Sequence, residues 1–163
     1  MMEELDIRYS FLSDGQYLRK WLKNEEDMRW YPVTDIKEME DMAANWIGFS
    51  KFRASLTSVL KNEVCGIGTL FLMPYKKVAH QCMFYMIVGQ EFRRRGIGSS
   101  LLKNIINLAK NYFHLESIYA EIFEKAPIIR LIEKLEFVPI VYQDKYVKQN
   151  GEYVGRVLYQ KFL

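Results

Sequence analysis

A chain of 163 residues encloses one hydrophobic core and is too short for two ordinary domains, so residues 1–163 are read as a single domain. Half of the residues are hydrophobic and 26% are charged, which excludes a disordered or low-complexity chain. The net charge of +3 is unevenly spread: residues 1–45 carry eleven Asp/Glu against six Lys/Arg, and the remainder carries nine against seventeen. No apolar run reaches the eighteen residues of a membrane span, the N-terminus is acidic, and Cys65 and Cys82 lack metal or disulfide spacing. The expectation is a cytoplasmic protein with no signal peptide, membrane contact, metal or nucleic-acid partner.

In chain order, Leu5, Ile7, Tyr9 and Phe11 alternate with polar residues and predict a strand over Met1 to Phe11. Tyr17, Leu18, Trp21 and Leu22 fall at helical spacing and predict a helix over Tyr17 to Asp27. Thr34 or Asp35 caps a second helix with an inner stripe of Met39, Met42, Ala43, Trp46 and Ile47. Arg53 to Leu60 and Val64 to Met73 read as a hairpin across Asn62, and Val78 to Val88 as the longest strand, apolar enough for the middle of a sheet. Gly96 to Tyr112 is the strongest helix, followed by a strand from Ser117 to Phe123 and a short helix opened by Pro127 and ending at Leu135. Val138 to Val147 and Tyr153 to Phe162 pair across Asn150-Gly151, a strong short hairpin signal.

Chemistry concentrates where the strand ending at Val88 meets the strongest helix, in Arg93-Arg94-Arg95-Gly96-Ile97-Gly98-Ser99. The first turn of a helix has N–H groups without intrahelical partners and a partial positive charge, so an anion is favoured there. Gly96 and Gly98 let backbone approach a ligand, the arginines attract phosphate, and Gly89 with Gln90 permits a bulge or splay. A dinucleotide fingerprint is excluded by the missing third glycine, and a P-loop by the missing Gly-Lys-Ser/Thr.

Arg93-x-x-Gly96-x-Gly98, following a strand and opening a helix with Leu101-Leu102, resembles the Q/R-x-x-G-x-G/A acetyl-coenzyme A signature of the GNAT (GCN5-related N-acetyltransferase) superfamily. Leu18-x-x-Trp21-Leu22 followed by Trp30 is similar to the opening helix of members that acetylate aminoglycosides or ribosomal-protein N-termini. The resemblance implies an α/β (α+β) fold: a mixed, mostly antiparallel sheet of six to seven strands, flanked by about four helices and splayed at the cofactor site. It implies that amides from Arg94 to Ser99 hold the pyrophosphate of acetyl-coenzyme A, that Ile87 and Val88 pair with the pantetheine arm, and that a backbone donor near Val88 stabilises the oxyanion.

The implied reaction is direct attack of an acceptor amine, whether of a small molecule, an aminoglycoside-like compound or a peptide N-terminus, in a monomer or homodimer. The acidic N-terminal part, including Glu25, Glu26 and Asp27, suggests a cationic acceptor. The family pattern N-x-A-x-x-x-Y-x-x-x-G-F is broken: Ala126 stands for the Asn, Ile132 for the Tyr and Glu136 for the Gly. The usual proton donor is therefore missing, and His80, Cys82, Tyr85 and Tyr142 are the catalytic candidates, with Tyr119 as a further source of a hydroxyl and Glu121 as a residue that could attract a cationic amine. A coenzyme A-binding regulatory module without catalysis is the alternative.

Overall fold

The computed structural model describes residues 4–163, so the expectation of a strand over Met1 to Glu3 lies outside the described residues. Strands β1 (Leu5–Tyr9), β2 (Ser55–Leu60), β3 (Glu63–Phe71), β4 (Gln81–Val88), β5 (Ser117–Phe123), β6 (Val138–Gln149) and β7 (Glu152–Phe162) form one sheet in the order β1-β2-β3-β4-β5-β7-β6. Every neighbouring pair is antiparallel except β4 and β5. Helices α1 (Gly15–Leu22), α2 (Glu25–Met28) and α3 (Ile36–Gly48) lie on one face, and α4 (Ile97–Asn107) and α5 (Ile129–Lys134) on the other.

Helix α1 has eight residues, fewer than the roughly 12–15 that an isolated helix needs. Burial holds it instead: Leu18, Trp21 and Leu22 are buried against Met39, Ala43, Trp46 and Ile47 of α3, each contributing about 1.5–3 kcal/mol. The single helix expected over Tyr17 to Asp27 is two, because the Asn24 side chain accepts the Glu26 N–H and starts α2 as a new helix. Asp35 caps α3 by accepting from the Glu38 N–H at 2.8 Å. On the other face Leu101, Leu102 and Ile105 of α4 pack with Phe84, Met86, Ile118 and Ala120.

Other boundaries also move. Lys76–Val78 is a short turn, so β4 begins at Gln81, and β6 and β7, at 12 and 11 residues, are the longest strands. The regular part of α4 ends at Asn107, and one π turn continues to Tyr112. Lys61-Asn62 and Asn150-Gly151 turn their hairpins with positive φ at both residues.

What positions the site is the parallel pair. The β4–β5 ladder runs through Gln81↔Ser117, Cys82↔Ile118 and Met83↔Tyr119, after which β4 continues to Val88 without register to β5. The sheet opens there, in its fourth and fifth positions of seven.

Candidate active site

The loop leaving β4 turns on left-handed backbone: Arg94 has φ 63° and Gly96, the N-cap of α4, has φ 79°. That conformation costs an L residue about 1–2 kcal/mol, strain of the kind that collects at ligand clamps. Gly96 bears it without cost. Ile97, Gly98 and Ser99 then form the first helical turn, with N–H groups that have no carbonyl within the helix to bond. A Cβ on Gly98 would lie 3.4 Å from Leu131 and 3.8 Å from Met86 and Val88, filling the space between α4, α5 and β4.

Side chains strap this loop to α2. Arg93 donates through Nη2 to the buried carboxylate of Asp27 and through Nε to the Val88 carbonyl at 3.1 Å. Gln90 accepts from Asn24 Nδ2 at 2.9 Å and donates to Glu26 at 3.1 Å. A Cβ on Gly89 would sit 2.8 Å from Trp21 Nε1, and its φ is −55°, so close packing of α1 rather than a bulge requires this glycine.

A cleft of about 310 Å³ opens where β4 leaves β5. The Gly89 N–H bonds Cys65 of β3 at 2.9 Å, so by strand alternation the backbone groups of Ile87, opposite Ile67, also face β3. Met86 and Val88 therefore turn theirs toward the cleft, where the Tyr31 hydroxyl donates to the Met86 carbonyl at 2.9 Å. Trp30, Tyr31, Tyr85 and Glu121 wall the cleft from the α1–α3 face, and Ile128 and Leu131 from the α5 face.

Burial lifts the Tyr85 phenol well above its ordinary range and the Glu121 charge lifts it further. Burial, then the Asp27 charge, does the same to Tyr31. Both hydroxyls are proton donors at neutral pH. Glu121 lies 3.0 Å from Arg156, whose guanidinium stacks 3.8 Å from the Tyr146 ring centre and donates through Nε to Gln143. The arrangement joins a helix start with free N–H groups, an open strand edge and a pocket lined by two phenols, Tyr31 and Tyr85, and two carboxylates, Asp27 and Glu121. An elongated, phosphate-bearing ligand fits it.

The model of the Acetyltransferase (GNAT) family matches residues 16–137. The chain belongs to the GNAT family. An L-amino acid N-acetyltransferase, AaaT, of Escherichia coli (strain K12) is 27% identical to this GNAT chain over 100 residues, which cover 61% of the chain and 62% of that relative. The fold matches YncA from Salmonella typhimurium, solved with its cofactor acetyl-CoA, at TM-score 0.80 and 16% identity over 97% of this chain and 93% of that one. A ribosomal-protein-alanine N-acetyltransferase from Brucella melitensis matches at TM-score 0.78 and 19% identity, over 97% and 99% of the two chains.

Within this GNAT frame, Val88, Arg93, Arg94, Gly96, Ile97 and Gly98 line the cleft, and Arg95 and Ser99 flank them in the loop and first helical turn. Ile87 and Val88 are the pair expected to meet the pantetheine arm; both touch the cleft, but the Ile87 backbone faces β3, whereas that of Val88, with Met86, faces the cleft. Of the catalytic candidates, Tyr85 lines the cleft and the other three stand apart. His80 sits in the exposed turn before β4, at the end of that strand away from the loop, with its carbonyl accepting the Glu116 N–H at 2.7 Å. Cys82 is fully buried in the paired part of β4, and burial pushes its thiol up to about 12, which disfavours a thiolate.

Tyr142 lies exposed on β6 and donates to Glu124 at 3.1 Å; β7, not β6, neighbours β5, so this residue is carried away from the splay. Tyr119 pairs with Met83 below the opening. Ile132 is fully buried in the core beneath α5, and Glu136 holds φ 68°, the left-handed geometry that suits the family's glycine. The sequence pattern gives no sign of Tyr31 or Arg156, and it offers Asp27 as a lure for cations when the residue is the ion-pair partner of Arg93. No contiguous motif contains these contacts, which span 55, 35 and 66 positions.

Proposed function

We propose that this protein transfers an acetyl group from acetyl-coenzyme A to a primary amine by direct attack. The observation that carries the proposal is the continuity of the Arg94–Ser99 anion site with the open Met86–Val88 edge and the pocket ending at Tyr85 and Glu121. The amides of that loop hold the pyrophosphate, the β4 edge aligns the pantetheine arm as an added strand, and Gly98 leaves the arm its space. Acetyl-coenzyme A, when bound, supplies an activated thioester.

The acceptor amine attacks the thioester carbonyl, so that a C–N bond forms and the C–S bond breaks. The Val88 N–H stabilises the developing oxyanion. Asp27 is buried against Arg93 at the loop and the Tyr31 hydroxyl is committed to Met86. Glu121, paired with Arg156 through Oε2 at 3.0 Å, takes the proton from the amine at its other oxygen, and Tyr85 gives one to the departing sulfur.

Amine-dependent release of coenzyme A thiol tests the reading across amino acids, polyamines, aminoglycosides and peptide N-termini. Tyr85→Phe is expected to lower kcat by about 100-fold with coenzyme affinity unchanged. Thiol release indifferent to the amine, or an unchanged kcat in Tyr85→Phe, overturns it. Tight coenzyme binding without turnover on any acceptor supports instead a coenzyme-binding regulatory module, the reading that Ala126 and Ile132 favour.

A further inference from the structure

The cleft contains two carboxylates, and both already have an arginine: Asp27 has Arg93, and Glu121 has Arg156. Both carboxylates are therefore neutralised, Asp27 by Arg93 on the lining and Glu121 by Arg156 directly behind it, and Arg94 adds a positive charge, so a simple cation finds no spare negative charge there. The acidic excess of the first 45 residues does not alter this, since Asp27 is buried in its ion pair and Glu26 is engaged by Gln90 on the outside.

The Glu121–Arg156 pair is built with care. Its side chains are 15% and 18% exposed, so both charges have lost most of their water and neither is cheap to leave unpartnered. Arg156 is held flat by the Tyr146 ring and by Gln143, which fixes its planar fork of donors. Tyr146 reaches that ring position from a break in the β6–β7 register between Gln143 and Val147, with Lys145 at φ 54°, the kind of irregularity that re-aims a side chain. Glu121 lies two residues beyond the last β4–β5 pair, on the Tyr85 side of the pocket.

We infer that Glu121 and Arg156 together read a zwitterionic acceptor, an amine with a carboxylate on the adjacent carbon, as in a free α-amino acid. The ammonium binds Glu121 and the carboxylate binds the guanidinium of Arg156, so the ligand bridges the pair without leaving either charge bare. This rests on the acetyl-transfer reading and names its acceptor class. The ammonium gives one proton to Glu121, which passes it to water. The neutral nitrogen forms the C–N bond as the C–S bond breaks, and its second proton goes to Glu121. The sulfur takes a proton from Tyr85, which the proton on Glu121 replaces through water. The amide product has lost its positive charge and with it the contact to Glu121, which favours release. Polyamines and aminoglycosides lack the carboxylate, and in a peptide N-terminus it is replaced by a neutral amide.

The test measures thiol release by the whole protein at saturating acetyl-coenzyme A. The panel is α-amino acids with uncharged side chains, their carboxamides and the corresponding decarboxylated amines. The expected kcat/KM for the acids is about 100-fold above the other two sets. Arg156→Gln is expected to lower kcat/KM for the acids at least about 10-fold more than for the carboxamides, erasing most of that margin, and Arg156→Lys to restore part of it. If Arg156→Gln does not fold, the comparison of acids with carboxamides in the unaltered protein still decides. Carboxamides or plain amines that match the acids, or an Arg156→Gln loss equal across the sets, overturn the inference and leave acetyl transfer standing. Release with none of the amines removes both.

Discussion

Asp14 shows how one residue ties an N-terminal segment to the sheet. It is buried, and its carboxylate accepts from both Arg8 nitrogens, at 2.7 and 3.1 Å, from the Phe11 N–H at 2.8 Å and from the Thr57 hydroxyl at 2.9 Å. Burial by itself raises its pKa; the hydrogen bonds from Arg8, Phe11 and Thr57, with the Arg8 charge, outweigh that and hold it below the ordinary carboxylate value. A carboxyl whose folded pKa is depressed contributes stability above its unfolded pKa, about 3.9, and loses it as pH falls through the folded value. Asp14→Asn is therefore expected to cost about 2 kcal/mol at pH 7, with the gap to the unaltered protein narrowing below about pH 4. Urea unfolding at pH 7 and pH 3 measures this. An equal gap at both pH values would show that the charge of Asp14 is not what matters.

At the scale of elements, the β4–α4 loop has a shape set by its own residues and a position set by another element. The shape was open to reading because seven consecutive residues carry it: the glycines, the arginines and the start of an amphipathic helix. The position was not, because the strap runs from Arg93 and Gln90 to Asp27, Glu26 and Asn24 of the α2 region, more than sixty residues back. His80 and Tyr142 illustrate the same limit, since periodicity finds a strand but neither its first residue nor its neighbour in the sheet. Strand β6 is exposed along nearly all its length, so no alternation marks its full extent to Gln149.

The strap itself makes a prediction at this scale. Asp27→Asn removes the buried charge opposite Arg93, whose side chain is 38% exposed and can rehydrate. The expected loss is about 2 kcal/mol, below the roughly 3–5 kcal/mol of a fully buried pair, together with a several-fold rise in the coenzyme A dissociation constant as the loop loosens. Chemical denaturation and calorimetric binding report the two effects separately. A variant that loses stability but binds coenzyme A unchanged would mean that α2 supports the core and does not set the loop.

Across the whole molecule, the sheet consists of two parts joined at a narrow seam. Strands β1 to β4 carry α1, α2, α3 and the loop; β5, β7 and β6 carry α5; three register pairs between β4 and β5 connect them, with the core under α4 and α5 as backing. The cleft is the open part of that seam, so a ligand within it touches β4 and the loop on one side and β5 and α5 on the other. Coenzyme A at 100 times its dissociation constant is expected to stabilise the fold by about 2.7 kcal/mol, a rise in Tm of about 5–10 °C for a domain of this size. The rise alone reports binding, whereas its distribution reports bridging: amide exchange is expected to slow at Arg94 to Ser99 and also at Ala120 to Phe123 and through α5. Protection confined to the loop would show that the ligand docks on one half of the sheet, and the seam would then owe its stability to the Gln81–Met83 ladder and the core alone.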